Sequence, residues 1–386
     1  MEVYFDNAAT TKVAKEVVDA MIPFYTENYG NASSSHKWGQ KAEEALEDSR
    51  KRIAECLNAR AEEIIFTGSG SESNNFALKG IARANKEKGN HIITSKIEHS
   101  ATLESCKSLE GEGFSVTYLD VDKEGFVDLE DLKREITDKT ILVSIMHVNN
   151  EIGTIEPIDK IGEICKENGV YFHVDAAQSF MKVPIDVKKI NADLISLSAH
   201  KIHGPKGVGA LFIKSGTDIR RFVDGGSQEM RKRAGTENVP GIVGFAKATE
   251  LIKGEDIKHM AKLRDKLISF LEKIPDSRLN GPKGDNRVCN NVNYIFKFIE
   301  GESIMSLLDM KGIAVSTGSA CNSDNLSPSH VLSALGLPHE IIHGSIRFSF
   351  SRENTEKEVD YLMKVLPDVI KKLRNISPYS RENQNV

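Results

Sequence analysis

The chain reads as an α/β protein, with a mostly parallel sheet covered by helices on both faces and a smaller α/β domain beside it. Three observations carry that expectation. From about residue 63 to residue 213, apolar runs of strand length alternate with amphipathic stretches of helix length, the order that a parallel sheet with crossover helices requires. One of these runs, Asp193-Leu-Ile-Ser-Leu-Ser198, reads as a buried strand and stops at Ala199-His200-Lys201, where a Gly/Pro loop begins. Beyond Gly254 the character changes to longer, charged helical runs with fewer strands.

Composition bounds the problem further. At 386 residues the chain can bury a large core and is expected to hold two structural domains. Its 39% hydrophobic and 28% charged content is that of an ordinary globular protein. A formal charge of −5 argues against a general nucleic-acid-binding surface. Met1-Glu-Val-Tyr-Phe-Asp6 has no basic stretch followed by an apolar core, so no secretory leader is expected there. No apolar run reaches the roughly 18 residues that span a bilayer, so no membrane segment is expected. Five cysteines, at 56, 106, 165, 289 and 321, are scattered and form no C-x-x-C pair. That fits free thiols in a reducing cytoplasm and offers no zinc framework.

In order, Val3–Thr11 is a short extended opening, and helical periodicity follows through Val17, Met21 and Phe24 until Tyr29-Gly-Asn-Ala-Ser-Ser-Ser-His36 breaks it. Residues 39–58 form a helix with Ala42, Ala45, Leu46, Ile53 and Ala54 on one face. Glu63–Thr67 is a strand that runs into Gly68-Ser-Gly-Ser-Glu-Ser-Asn-Asn75, and a helix at Phe76–Lys86 is closed by Gly89. Strands at 91–94, 115–119, 140–146 and 170–174 then alternate with helices near 101–111, 128–136 and 157–168. The 193–198 strand and Gly209–Ile213 complete this part. Helices near 239–252 and from 254 to about 273 lead to a strand at Asn291–Phe296 and a helix near 302–311. The loop Thr317–Ser329, a strand at Ser345–Phe350 and an amphipathic helix at 355–374 follow; the last dozen residues are polar and expected to fray.

Several of these strand ends carry chemistry. Lys201 stands where ligands bind in α/β sheets, at a strand's carboxyl end. Spacing alone allows it to be a surface charge beside a loop or a Schiff-base lysine, desolvated so that its amine is nucleophilic. Thr67-Gly-Ser-Gly-Ser-Glu72 suits a phosphate through its amides, hydroxyls and helix start, but ordinary capping uses the same residues. It lacks the Gly-Lys-Ser/Thr of a P-loop and a full G-x-G-x-x-G. Asp175, after a buried strand, is either an N-cap or the partner of a protonated ring nitrogen. His99, at another strand-to-helix turn, could stack on a flat ring or move protons. Ser316–His330 is a polar, Gly-containing loop expected to be exposed and mobile, and a lone cysteine there, Cys321, points to use. Cys56, Cys106, Cys165 and Cys289 fall in expected helices or at a strand and read as packing thiols.

Asp6-Asn-Ala-Ala-Thr-Thr11, Gly30-Asn-Ala-Ser-Ser34, Glu98-His99, Asn149-Asn-Glu-Ile-Gly153, Asp175-Ala-Ala-Gln178 and Ser198-Ala-His-Lys201 together resemble the signature set of cysteine desulfurases. These are the NifS/IscS-like branch of the fold type I pyridoxal-phosphate enzymes, in the class V aminotransferase family. The resemblance runs from about residue 3 to residue 374. It implies a large cofactor-binding domain with a mostly parallel seven-stranded sheet, expected at 14–254, and a small domain made of 1–13 and 255–386. It implies pyridoxal 5'-phosphate held by Lys201 as a Schiff base, with Asp175 on the pyridine nitrogen and Gln178 and Asn150 on the ring's phenolic side. His99 would stack on the ring and act as an acid–base group; Gly70, Ser71, Ser198 and His200 would hold the phosphate. Thr236 would reach the phosphate of the partner subunit in a homodimer. Arg347, with Asn150, would bind the substrate carboxylate, a task suited to a planar two-pronged donor. Cys321 would take sulfur from L-cysteine as a persulfide, releasing alanine. An iron–sulfur scaffold or another thiolation acceptor would receive that sulfur.

The chain departs from the family pattern at Ala32, at Gly70-Ser71 and at Ser351, where proline, Ala-Thr and glycine are frequent. Selenocysteine lyase activity would share every contact named. A remote rival is a zinc hydrolase, since His339-Glu-Ile-Ile-His343 formally matches H-E-x-x-H. That motif needs a continuing helix, and Gly344 stands against one.

Overall fold

The computed structural model describes residues 1–317 and 328–378. Val3–Tyr4 (β1) opens the chain. The large sheet takes Ile64–Thr67 (β2), His91–Ser95 (β3), Ser115–Leu119 (β4), Thr140–Met146 (β5), Tyr171–Asp175 (β6), Leu194–Ser198 (β7) and Gly209–Ile213 (β8). Their spatial order is β2-β8-β7-β6-β5-β3-β4. Neighbours pair in parallel from β7 through β4, whereas β8 runs antiparallel to both β2 and β7. The reversal has a simple cause: residues 199–208 are too few to hold a crossover helix, so the chain turns straight back. The expected mostly parallel, seven-stranded sheet is therefore present, with one reversed strand that the apolar pattern of Gly209–Ile213 does not distinguish.

Helices cover both faces because each carries one apolar stripe. Ile158–Glu167, for example, buries Ile158, Ile161, Ile164 and Cys165, spaced as one face of a 3.6-residue helix, and these side chains join the core that includes Phe172, Val174 and Leu197. A second core on the other face gathers Phe76, Ile81, Ile92 and Leu142.

The smaller half is built on an antiparallel sheet of Ser277–Leu279 (β9), Asn291–Phe296 (β10), Ser316–Thr317 (β12) and Ser345–Ser349 (β13), in the order β12-β13-β10-β9, while Ile313–Ala314 (β11) pairs with β1 in parallel. The helix Glu356–Ile376 lays Val359, Leu362, Leu366, Val369, Ile370 and Leu373 on this half's core. Its start is fixed reciprocally: Thr355 Oγ1 accepts from the Glu358 amide at 3.3 Å, and the Glu358 carboxylate accepts from the Thr355 amide at 2.6 Å. Val3 and Phe5 belong to the same core. The chain then crosses to the large sheet, where the Thr11 amide donates to the His200 carbonyl at 3.0 Å and the Ala14 amide to that of His203 at 3.1 Å.

One local expectation is corrected. The helix placed at Phe76–Lys86 begins earlier and spans Gly70–Ala84. Gly and Ser have weak helix propensity, but Ser69 Oγ accepts the Glu72 amide at 3.1 Å and the Glu72 carboxylate accepts the Gly68 amide at 2.8 Å. That cap offsets the weak first turn. The H-E-x-x-H stretch is a helix only at His339–Ile342, and both histidines are exposed. The two-turn frame that a zinc motif needs is not formed there, and among the described residues no group of three or more His, Cys, Asp and Glu side chains could hold a metal ion.

Candidate functional site

The carboxyl ends of β5, β6 and β7 and the turn after β2 open on a single cavity of about 300 Å3. Lys201 stands in a one-turn segment, Ala199–Lys201, directly after β7. Its Nζ donates to the carbonyls of Ala8 at 2.6 Å and Ala9 at 2.7 Å. Gln178 Nε2 donates to the same Ala8 carbonyl at 2.9 Å. The crossing segment from the amino terminus is thus one wall of the cavity.

Asp175 ends β6 and is only 5% exposed. One carboxylate oxygen accepts from Asn74 Nδ2 at 2.6 Å and the other from the Ala177 amide at 2.9 Å, so its orientation is fixed from both sides. His99 caps the helix Ser100–Glu110: its Nδ1 accepts from the Ala101 amide at 3.1 Å. In the neutral ring the proton is then on Nε2. Burial pushes His99 below its ordinary pKa; Asp175 works against that shift, and Lys201 adds to it.

The turn after β2 begins the helix Gly70–Ala84, whose first-turn amides lie outside the helix's own ladder. A Cβ at Gly70 would come to 3.3 Å from the Ser198 Cβ, and one at Gly209 to 2.6 Å from the Ser69 carbonyl carbon. Both positions keep the turn pressed against β7 and β8, so that Ser71, Ser198 and His200 share one end of the cavity. His200 Nδ1 is 3.1 Å from Thr10 Oγ1. Burial, reinforced by Lys201, Lys206 and Lys182, pushes its pKa down to about 4, which leaves it neutral at neutral pH.

Arg347, on β13 of the small half, also lines the cavity and is 3% exposed. It donates to the Asn150 carbonyl at 3.0 Å and to the Asp6 carboxylate at 2.9 Å, while its Nε is buried without a partner. A carboxylate entering the cavity therefore meets a guanidinium whose orientation is fixed by Asn150 and Asp6.

Behind His99 lies Glu98, whose Oε1 accepts from Ser95 Oγ at 2.6 Å and the Met146 amide at 3.1 Å, and whose Oε2 has no partner. Burial pushes its pKa up to about 8. The sign of the linkage is fixed: the folded chain holds this proton while the unfolded chain releases it near the ordinary carboxylate value. Stability is therefore lost as pH rises from about 4.5 toward about 8. Glu98→Gln is expected to flatten this loss, melting a few degrees above the wild type at pH 8 and level with it near pH 4.5. Thermal melts across that range check it. Nearby, Ser329 Oγ donates to the buried Glu151 carboxylate at 2.6 Å, and His330 Nε2 lies 2.9 Å from the Glu98 carbonyl.

Of the residues singled out in the sequence, Gly70, Ser71, His99, Asn150, Asp175, Gln178, Ser198, His200, Lys201 and Arg347 all line this cavity. Thr236 does not: it is exposed, on the segment that Arg233 ties to the capping Glu72 at 2.8 Å. Cys321 lies outside the described residues. Sequence reasoning misses Asn74, the Ala8 and Ala9 carbonyls and Asp6. Asn74 has a signal, because it stands four residues after Gly70 and faces the same way once the helix starts there. The carbonyls have none, since a main-chain acceptor leaves no mark in the side-chain pattern.

The sequence matches the Aminotransferase class-V family over residues 3–362. It is 57% identical over 379 residues to a protein named cysteine desulfurase IscS from Methanosarcina thermophila, covering 97% of this chain and 94% of the relative. A cysteine desulfurase IscS from Clostridium botulinum is 55% identical over 382 residues, covering 98% and 96%. Among solved structures, a NifS-like protein superposes with a TM-score of 0.91 at 42% identity, covering 97% of this chain and all of that one. A structure described as SspA in complex with cysteine superposes with a TM-score of 0.81 at 37% identity, covering 92% of this chain.

Proposed function

The chain belongs to the class-V aminotransferase family, and from that premise we propose that it is a pyridoxal-phosphate-dependent cysteine desulfurase. It would convert L-cysteine to L-alanine and pass the sulfur to Cys321. The observation that carries the reading is the convergence of Lys201, Asp175 and Arg347 on one cavity.

The residues present fit the cofactor. Asp175, oriented by Asn74 and Ala177, suits a protonated ring nitrogen, and Asn74 keeps a buried oxygen without a partner beside it. The first-turn amides at Gly70 and Ser71, with Ser198 and the neutral His200, suit a phosphate. Gly70 leaves room there that a side chain would fill. Lys201 would hold the group covalently through its amine, His99 against its face, and Asn150 and Gln178 beside its phenolic oxygen. Once bound, pyridoxal phosphate supplies an electron sink for negative charge at the substrate's α-carbon.

The chain's own residues do the rest. Arg347 orients L-cysteine through its carboxylate. Lys201, released when substrate takes its place, moves the proton at the α-carbon, and His99 offers Nε2–H as an acid–base group. The Cys321 thiolate attacks the substrate sulfur; the carbon–sulfur bond breaks, a sulfur–sulfur bond forms, and protonation of the carbon fragment gives alanine. Cysteine and the Cys321 thiol thus become alanine and a persulfide, with no external oxidant or reductant. We assign the electron-sink machinery to 14–254 and the carboxylate clamp and sulfur carrier to a unit of 1–13 and 255–386.

A homodimer is part of this reading. Val18, Ile22, Tyr25, Tyr29 and Trp38 are all exposed within one short stretch, an apolar surface that a second copy would cover. Thr236, exposed and outside its own cavity, would serve the partner's. The sulfur would go to an iron–sulfur scaffold or another thiolation acceptor in the cytoplasm; no helix among the described residues is long and apolar enough to cross a membrane.

Purified protein with L-cysteine and a dithiol should release alanine and sulfide in equal amounts; alanine without sulfide, or neither, would contradict the reading. Arg347→Lys keeps the charge and loses the fork. It is expected to raise KM for cysteine about ten- to a hundredfold with a smaller change in kcat, as initial rates would show.

A further inference from the structure

One ionisable group at the site has no part in the chemistry above. Lys182 lies in the turn that follows Asp175 and is 6% exposed. Its Nζ is 3.5 Å from the carbonyl oxygen of Lys201. Among the described residues no carboxylate pairs with it. The Cys289 thiol, which faces it from the small half, is pushed up to about 11 by burial and brings no counter-charge at neutral pH. His200 and His203 face it from the loop after β7, and burial holds both below the ordinary histidine value. A buried cation without an anion is costly to keep, and here it is kept against the backbone of the lysine that the proposed function uses.

We propose that Lys182 is a positioning residue that holds the Lys201 segment and, as a like charge, keeps the Lys201 amine in its reactive, unprotonated form. The inference rests on the reading that Lys201 carries the cofactor. The described acceptors around Lys201 pull the other way. The Ala8 and Ala9 carbonyls accept from its Nζ and so favour the ammonium. Asp175, lining the same cavity, does the same. Burial holds His99 below the ordinary histidine value and His200 at about 4, so they add little positive charge, and Arg347 lines the same cavity as a second cation. A cationic neighbour is a standard way to offset such a bias and free a lysine for nucleophilic attack. Burial pushes Lys182 itself down to about 8, so its charge is present at neutral pH and fades as pH rises through that value.

The test uses capture of pyridoxal phosphate by cofactor-stripped protein, because the amine attacks the aldehyde only when unprotonated. The rate of appearance of the imine absorbance is measured against pH for wild type, Lys182→Gln, Lys182→Met and Lys182→Arg. Gln keeps a donor for the Lys201 carbonyl without the charge; Met keeps the chain length. Both are expected to move the midpoint up by about one pH unit, making capture about tenfold slower at neutral pH, while Arg restores the wild-type midpoint. A purely structural lysine would change melting temperature and capture amplitude but leave the midpoint in place. A folded Gln or Met variant with the wild-type midpoint overturns the inference. The wild-type profile is a second check that needs no variant: it should be broader than a single titration, since Lys182 discharges within it, and a single-group profile overturns the inference equally. Lys201→Ala separates the two levels. If it captured the cofactor at the wild-type rate, the assignment of Lys201 would fail, whatever Lys182 does.

Discussion

Lys201→Ala is expected to yield folded, colourless protein whose cysteine turnover falls by about a thousandfold or more. The size follows from the two tasks placed on one amine. Lys201 would hold the cofactor covalently, and it would move the proton at the α-carbon, so its loss removes both anchorage and base. The cost to folding should be small. Truncation leaves the Ala8 carbonyl its Gln178 donor and frees only that of Ala9, which borders an open cavity that water can enter, so it is not left desolvated. Absorbance of the purified variant, bound pyridoxal phosphate after gel filtration and alanine formation would be measured together. A variant that kept its colour and turned over cysteine would place the reactive amine elsewhere, and Lys182 would be the first residue to examine.

Cys321→Ser should separate sulfur transfer from cofactor chemistry. The variant is expected to purify yellow and to change its absorbance on mixing with L-cysteine as the wild type does, because Lys201, Asp175, His99 and Arg347 are unchanged. Its steady-state turnover should nevertheless fall to about a hundredth or less, since a hydroxyl is a far weaker nucleophile toward sulfur than a thiolate. The other cysteines are poor substitutes. Cys106 and Cys165 are buried, with pKa values pushed up to about 12, and Cys289 is also buried, facing Lys182 rather than open solvent. Cys56 is partly exposed on the helix Lys37–Leu57, on a separate surface that it shares with Arg52 and Glu250. Retained turnover in the Ser variant, with alanine and sulfide formed as before, would mean that sulfur leaves without a carrier on Cys321.

Much of the fold and of the cavity is legible in the sequence, for reasons that can be named. Buried strands such as Leu194–Ser198 are short runs of mainly apolar and small residues that end at abrupt Gly/Pro loops. Their carboxyl ends, and with them Asp175, Lys201 and Ser198, are therefore located by residue pattern alone. Arg347 is legible only through the family resemblance, because nothing local distinguishes an arginine on a short strand from a surface charge. The helix start at Gly70 escapes a reading that weighs propensity above capping, and with it goes Asn74, the residue that orients Asp175. The reversed β8 follows from a loop length that the sequence displays, but its apolar pattern fits either direction. Main-chain acceptors at Ala8 and Ala9, and the approach of Lys182 to the Lys201 carbonyl, depend on how two distant segments pack. No periodicity in one chain encodes that.

The most direct test of the central claim is a single turnover. Enzyme loaded with pyridoxal phosphate would be mixed with sulfur-labelled L-cysteine without reductant, quenched, and digested for peptide mass analysis. One added sulfur atom, carrying the label, is expected on the peptide containing Cys321, with an equal amount of alanine released. Label on Cys56 or another thiol, or alanine formed with no labelled peptide, would contradict the claim.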